Sequence, residues 1–550
     1  MNRRSALNAR KSSQIEFAVA IAALIALKLW LVQAEDIIGS ATQYDALWFV
    51  RSASHWYWDA PYSWTAFVRP CAYPLWIAAV HLLHLPLRPA IEMLQIGGAL
   101  VLLIALRRIG AGRWLAAACF AAICFHPAGF QLNNYTMSDT FYAAALWYVL
   151  GGLILTAATR HTWIAVGTGG MIAILWNTRE EGLLVAALVA IWSAILFAQE
   201  KSPGSSTRLA LARIAKPIVV TCAVAALAIT GVYTTNYLVY RSFARSEMTA
   251  HSFQALFHAL LRIRPSEPKG YAPITTDTLQ RAFNVSPTFA QLRPQFDGPL
   301  GEAWRTETSR RVGIPNEIGV GWIVWATRHA ASVTGVFDTP EGSQRFFKNA
   351  AREINIACDD GRLPTRFVVD GFLDPLAQSG GLGRLPASLA RVGARFFARW
   401  PRSTLGDDEI LTPAEVSLYD EMTGRRSAGT SPGTGLAVLL ENFIGRYHFV
   451  AVILLHLLAI VALVSLALTR RRAGPCGGYG AAIVLLGSAV FLRVVLLAWL
   501  DATAFDATGD RFLFPVLPLW TTVLVLTVGY AAARMFHSNE EGKDVPRPGG

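Results

Sequence analysis

The chain has 550 residues, 53% of them hydrophobic and 16% charged, with a mean hydropathy of +0.38. Soluble domains carry about a quarter charged residues, so this composition excludes a soluble enzyme and reads as a polytopic membrane protein. The net charge of +12 needs no nucleic acid to account for it, because Lys and Arg beside an anionic inner leaflet suffice.

Apolar runs close to the length that crosses the hydrocarbon layer occur at residues 15–33, 90–106, 114–130, 138–157, 163–176, 181–198, 214–237, 446–468, 479–500 and 512–533. With a shorter piece at 71–85 they predict an all-α polytopic membrane protein of 10–11 transmembrane helices. The first run is too long for a signal peptide and lacks a small-residue cleavage site, so it is expected to stay as an anchor. Six cysteines, among them Cys71, Cys119, Cys124 and Cys222 in or beside apolar runs, show no paired spacing of the metal or disulfide kind and read as small core residues.

Orientation follows from basic residues, which favour cytoplasmic loops near a span. Clusters at Arg3, Arg4, Arg10 and Lys11; at Arg107, Arg108 and Arg113; at Arg160; at Lys201, Arg208, Arg213 and Lys216; at Arg470, Arg471 and Arg472; and at Arg534 fall on one side only if 71–85 does not cross. That segment is short and bounded by prolines, which suits a re-entrant element shielded by protein. Four loops then share the outer face: 34–70 with Asp45, 131–139 with Asp139, 177–182 with Arg179, and 501–511 with Asp510 and Arg511. The chain divides into an N-terminal transmembrane module, 1–240; a periplasmic soluble domain, 241–445; C-terminal transmembrane helices, 446–536; and a disordered cytoplasmic tail, 537–550. Within the soluble domain, helical periodicity covers Ala250 to Leu261, Gly321 to Arg328 and Ser343 to Ala357, the last stopped by Cys358-Asp359-Asp360-Gly361. Residues 362–440 read as loop-rich and partly mobile.

An ionisable residue beside the apolar layer is costly and is a functional candidate by default. Asp45 is either a general base toward an acceptor hydroxyl, or a ligand for a divalent cation such as Mg or Mn, or simply the cap of a helix beginning at Ala46. Asp139, after Ser138, has the same two sides: a second catalytic acid or the start of a span. Arg179, in Arg179-Glu180-Glu181-Gly182, sits between two apolar runs with almost no loop, so it either clamps a phosphate bidentately or forms an interfacial pair with a glutamate. Arg511 in Asp510-Arg511-Phe512 either reaches a lipid-linked phosphate or anchors the interface. Trp48, Trp56, Tyr57, Trp58 and Trp64 form an interfacial belt, a sugar-stacking platform, or both.

The ordered set of Asp45, Arg69-Pro70 with Tyr73-Pro74, Ser138-Asp139, Thr178 to Gly182, and Asp510-Arg511-Phe512 with Pro515 and Pro518 resembles the GT-C superfold of membrane glycosyltransferases. That group includes protein mannosyltransferases, the aminoarabinose transferase of lipid A and the mycobacterial arabinofuranosyltransferases. The resemblance covers the first 200 residues and the last span. It implies an inverting transfer from a polyprenyl-phosphate sugar donor, with Asp45 and Asp139 as catalytic acids, Arg69, Arg179 and Arg511 on the donor phosphate, and Tyr44, Trp48, Arg51, Tyr73, Glu180 and Asp510 lining the substrates. Two departures stand out: the first loop has a single acid, and Glu180 occupies a position where related chains often carry proline. Metal dependence is therefore open. The soluble region is inserted before the last three spans rather than placed at the C-terminus, with Asn316 to Gly319 and Glu353 to Asn355 either lining an acceptor entry or belonging to a packing domain.

The expected function is a glycosyltransferase of the bacterial inner membrane, facing the periplasm and passing a sugar from the lipid phosphate to an envelope glycan, lipid or protein. Two other classes compete. A flippase or transporter calls for two repeated halves with broken helices, which the sequence lacks. An O-antigen ligase or polymerase rests on arginines and a histidine in its large loop, which His251, His258 and His329 keep open.

Overall fold

The computed structural model describes residues 3–38, 43–201, 206–368, 381–398, 412–425, 435–468 and 478–541. In chain order its helices are α1 (Arg3–Val32), α2 (Gln43–Ser54), α3 (Ala72–Leu82), α4 (Leu87–Arg108), α5 (Arg113–Cys124), α6 (Pro127–Leu132), α7 (Ser138–Thr159), α8 (Thr162–Trp176), α9 (Gly182–Glu200) and α10 (Thr207–Tyr240). The middle of the chain adds α11 (His251–Arg262), α12 (Thr276–Val285), α13 (Pro287–Ala290), α14 (Arg293–Asp297), α15 (Pro299–Val312), α16 (Val320–Val333), α17 (Pro340–Asp359), α18 (Gly381–Ala394) and α19 (Pro413–Thr423). The C-terminal part is α20 (Gly435–Leu468), α21 (Gly478–Thr503), the single turn α22 (Asp510–Leu513) and α23 (Leu517–Glu541). Two isolated bridges, Ile263 with Thr365 and Lys269 with Ala272, are the extended pairings among the described residues. The fold class is that of an all-α polytopic membrane protein.

Nine helical stretches among the described residues are long and apolar enough to cross a membrane, and α8, at 15 residues, is a shorter tenth. These ten match the expected apolar runs. The piece at 71–85 contains only the 11 residues of α3, too short to span at 1.5 Å per residue. It packs instead on α2, where Tyr73 meets Phe49 at 5.0 Å between ring centroids. The third run is broken at His126, whose ring accepts from the Ala128 amide at 3.2 Å and starts α6 with Pro127 behind it. Proline is tolerated there because a first-turn N–H has no helical partner.

The bundle is centred on α7, buried along nearly its whole length from Ser138 to Thr156. Gly151 lets α4 approach: a Cβ there would lie 2.9 Å from the Leu102 amide nitrogen, the small-residue contact by which helices pack in lipid. Charges buried between the helices fix the 131–139 loop. Glu92 accepts from Arg88 at 2.8 Å and from the Asn133 amide at 2.9 Å, Lys28 lies 3.5 Å away, and Gln95 donates to Asn133 at 2.8 Å. Such groups persist in an apolar setting only when they satisfy one another.

The inserted region folds around α11 and α17, whose apolar faces meet through Phe253, Phe257 and Phe347. Tyr57, Ala66 and Phe67 from the first loop belong to the same core, so this part of the loop and the inserted domain are one packed unit. Beneath that unit Arg328 and Glu247, both fully buried, form an ion pair, and Arg328 also donates to the Trp64 carbonyl. The three helices expected in this region are α11, α16 and α17, and Gly361 ends the last with φ of +72°. Three helix bounds differ from the expected ones. α20 begins at Gly435, before the expected start of the C-terminal helices at 446. Residues 362–440, read as loop, include α18 and α19, while 369–380, 399–411 and 426–434 lie outside the described residues. α23 runs on to Glu541 into the expected tail, whose remainder, 542–550, also lies outside them.

Candidate active site

A cavity of roughly 1800 Å³ opens where one end of the helical bundle meets the inserted domain, and all four polar loops contribute to its wall. Asp45, Asp139, Arg179 and Arg511, far apart in sequence, face one space, as the charge-based topology requires.

Asp45 lies in the first turn of α2, which begins at Gln43 and not at Ala46. The capping reading does not describe it, since both its oxygens are taken by Arg69: Nη2 donates at 2.7 Å and 2.8 Å, and Nε at 3.2 Å. Arg69 also reaches Glu180 with Nη1, at 3.5 Å, and lies under the Trp325 ring at 4.8 Å. The loop that delivers Arg69 is held by its backbone. Tyr57 donates to the Arg69 carbonyl at 2.6 Å, Tyr240 donates to the Tyr57 carbonyl at 2.7 Å, and the Glu247 amide donates to the Phe67 carbonyl at 2.8 Å. Burial by itself would lift the Asp45 carboxyl, but the Arg69 charge, helped by Arg511 and Arg179, outweighs it and holds Asp45 below the usual carboxylate range. Burial likewise works against the Arg69 charge, and Asp45 and Glu180 overcome it, raising Arg69.

Arg179 repeats the arrangement one loop further on. Its Nη1 is 2.7 Å from Asp139 and its Nε 3.2 Å from Glu181. Asp139 is not a cap either, because Met137 occupies that position in α7. Burial opposes the Arg179 charge, and Asp139 and Glu180 more than compensate. The elbow between α8 and α9 is closed by Arg245, which donates to the carbonyls of Trp176 at 3.0 Å and Glu180 at 2.8 Å. Gly182 is required there: a Cβ would lie 2.7 Å from the Arg245 guanidinium.

Arg511 differs. No carboxylate lies within ion-pair distance of it among the described residues, and its contact is the neighbouring Phe512 ring at 4.5 Å. Burial pulls its guanidinium below the usual value, and the more distant Asp139 and Asp45 only partly offset this. A partly buried cation without a counter-ion is poised for an anionic ligand.

One residue escaped the sequence reading, and the joining of several others was not foreseen. Arg493, only 2% exposed inside α21, pairs with Glu181 and donates to the Phe512 carbonyl at 2.9 Å. A lone arginine within the apolar run 479–500 is the signal that points to it. The inserted domain supplies the aromatic roof: Trp325 meets Trp48 at 5.2 Å, Trp48 meets Trp64 at 5.4 Å, and His329 stacks on Trp64 at 5.5 Å with planes 7° apart. Burial lowers His329, leaving it neutral near pH 7.

The remaining expected site residues divide between the cavity and other places. Trp48, Glu180 and Asp510 line the cavity. Tyr73 is buried against Phe49, Trp76 and Phe141 and does not line it. Arg51 pairs with Glu415 of α19, away from the wall. The Tyr44 side chain lies outside the described residues. In the inserted domain Glu317 and Glu353 serve as local caps, to Thr276 at 2.6 Å and to Thr288 at 3.0 Å, and do not form an entry. The residues present do not fit a divalent cation on Asp45: the Arg69 guanidinium occupies both oxygens, and no cluster of three His, Cys, Asp or Glu with ligating geometry exists among the described residues.

The cavity wall has two halves. Toward the bundle it is apolar, with Leu183 and Leu184 of α9 facing Leu492, Val495 and Leu496 of α21; toward the inserted domain it is aromatic and charged. Arg69, Arg179 and Arg511 line the same cavity.

No protein-family model matches the chain, and no curated protein matches it. Among solved structures it is similar to ArnT from Cupriavidus metallidurans bound to undecaprenyl phosphate, at 14% identity over 96% of this chain and 81% of that one, with a TM-score of 0.31. The apo form of the same protein aligns at 15% identity over 98% of this chain and 82% of that one, also with a TM-score of 0.31.

Proposed function

We propose that the protein is a membrane glycosyltransferase that takes a sugar from a polyprenyl-phosphate donor and passes it to a cell-envelope acceptor on the periplasmic side. One observation carries this reading: apolar side chains of α9 and α21 and a cluster of arginines line one cavity, and one of these arginines, Arg511, has no carboxylate within ion-pair distance among the described residues. A ligand with an isoprenoid tail and a phosphate head matches both halves of that surface, the tail against Leu184, Leu492 and Leu496 and the phosphate against Arg511 and Arg179. The aromatic roof of Trp48, Trp64 and Trp325 suits the apolar face of a sugar. The ordered motifs from Asp45 to Pro518 support the same chemistry by their resemblance to GT-C enzymes.

In this mechanism the acceptor oxygen attacks the anomeric carbon from the side opposite the phosphate, a new C–O bond forms as the sugar–phosphate bond breaks, and configuration inverts. The electron pair leaves with the phosphate, where Arg511 and Arg179 stabilise the growing charge. Asp45 holds Arg69 in the row of arginines; paired as it is, it is a weak base.

The reading is tested by reconstituting the purified protein in lipid nanodiscs with radiolabelled polyprenyl-phosphate pentose and hexose donors and a bacterial envelope lipid and glycan extract. Label passing to the extract is the expected result. Substrate-dependent flux across liposomes without any transfer would instead indicate a transporter.

A further inference from the structure

The geometry points to Glu180 as the group that receives the acceptor's proton. This assignment rests on the glycosyl-transfer reading above and goes beyond it by naming the base.

A general base must present a lone pair to the cavity and must not already be neutralised by a cation at hydrogen-bond distance. The carboxylates of the wall differ sharply by that test. Glu307 is held by Arg310 and Arg311 on its own helix, and Asp506 accepts from the Thr508 amide and hydroxyl in its own turn. Asp45 gives both oxygens to Arg69. Asp139 is 6% exposed and 2.7 Å from Arg179. Glu181 is shared between Arg179 and Arg493. Asp510 has a partner of its own. Glu180 is 31% exposed, and its nearest cation, Arg69 Nη1, stands 3.5 Å from Oε1, the outer limit of a hydrogen bond. Its Oε2 has no partner among the described residues.

Placement supports the role as much as the missing partner does. The Glu180 main chain is clamped by Arg245 at 2.8 Å in an elbow only a few residues long between α8 and α9, so the carboxylate is delivered from a rigid base. The charged and titratable groups that face it are Arg69, Arg179 and Arg245, with Asp45 behind Arg69 and Tyr57 beneath. Arg69 thus stands between two acids: Asp45 holds it tightly, and Glu180 touches it loosely. When the donor phosphate takes up Arg69 hydrogen bonds, the weak contact to Glu180 is the first to yield, and the Glu180 carboxylate is left without a cation at hydrogen-bond distance. The acceptor hydroxyl then gives its proton to Glu180 Oε2 as its oxygen bonds to the anomeric carbon, the bonding pair of the sugar–phosphate link departs with the polyprenyl phosphate, and water later takes the proton from Glu180. His329 is the neighbouring alternative, and its ring is stacked flat on Trp64.

The test compares wild type, Glu180→Gln, Glu180→Ala and His329→Ala in the nanodisc transfer assay with the same radiolabelled donors. Loss of a general base costs about a hundredfold to ten-thousandfold in rate. Glu180→Gln is expected to lower kcat by at least a hundredfold while leaving the donor KM within about threefold, and added formate is expected to restore part of the activity of Glu180→Ala, which a merely structural role does not allow. His329→Ala, which thins the aromatic roof, is expected to act on substrate KM and not to be rescued by added formate. Wild-type kcat in Glu180→Gln, or loss of Glu180→Ala activity that formate does not touch while the protein remains folded, overturns the assignment and leaves the transferase reading standing. A folded wild-type protein that transfers no label overturns both.

Discussion

Arg69 donates to both carboxylate oxygens of Asp45, at 2.7 and 2.8 Å, across 24 residues of a loop that the inserted domain holds in place. The two residues that the sequence marks as catalytic acid and phosphate ligand are each other's partners. The pair makes a rigid, oriented cation out of a flexible side chain, and several outcomes depend on it.

The Asp45 carboxyl is held below its ordinary value by Arg69 against the opposing effect of burial. A carboxyl depressed in the folded state contributes stability above its unfolded value, about 3.9, and loses it as pH falls through the lower folded value. Asp45→Asn is therefore expected to lower Tm at pH 7, and the gap to wild type is expected to close below about pH 4 as both proteins lose the pair. Thermal unfolding in detergent across pH 3 to 8 measures this; a gap that persists unchanged at the acid end contradicts the pairing.

Arg511 has no acid within ion-pair distance among the described residues. Removing a hydrogen bond to a charged group costs about 1.5–3 kcal/mol, or roughly ten- to hundredfold in affinity. Arg511→Ala is expected to raise the donor Kd by that factor while Tm stays near wild type, because no ion pair is broken. Titration with a polyprenyl phosphate, read by intrinsic tryptophan fluorescence, reports it. Unchanged affinity removes Arg511 from the donor site.

The buried pair of Arg328 and Glu247 joins the inserted domain to the first loop. Breaking one partner of a buried pair costs about 3–5 kcal/mol, so Glu247→Gln is expected to lower Tm by on the order of 10 °C for a region of this size. Replacing Glu307, whose partners Arg310 and Arg311 are surface neighbours on the same helix, is expected to change Tm very little. The two variants side by side separate a latch from a surface charge.

The inserted domain and the cavity are expected on the periplasmic side. Glu302 is 68% exposed on α15, and Glu302→Cys is expected to react with a membrane-impermeant maleimide in intact spheroplasts. Protection there with labelling only after lysis reverses the orientation.

Much of this was legible from residues alone, for a reason that differs between parts. Spans were legible because hydrocarbon imposes a length and a composition, and α1, α4 and α7 follow that rule closely. α3 was legible as a non-crossing piece through its shortness and the basic-residue parity. The meeting of Asp45, Asp139, Arg179 and Arg511 followed from placing four loops at one end. Partner choice was not legible: nothing in Asp45-Ala46 or Arg69-Pro70 says that these two residues pair, because the contact depends on how the 55–70 backbone turns through Tyr57 and Phe67, both at positive φ. The assembly of the roof was not legible for the same reason. Trp325 and His329 are one turn apart on α16, and only the docking of the domain, latched by Arg328 on the same helix, turns them toward Trp64 and Arg69.

The two-sided lining of the cavity has a kinetic meaning. Under the proposed function, a lipid carrier held against α9 and α21 and an acceptor held against α15 and α16 occupy different parts of one cavity wall, so neither displaces the other. Both are then expected to be resident before any bond changes, and initial-rate plots are expected to intersect rather than run parallel.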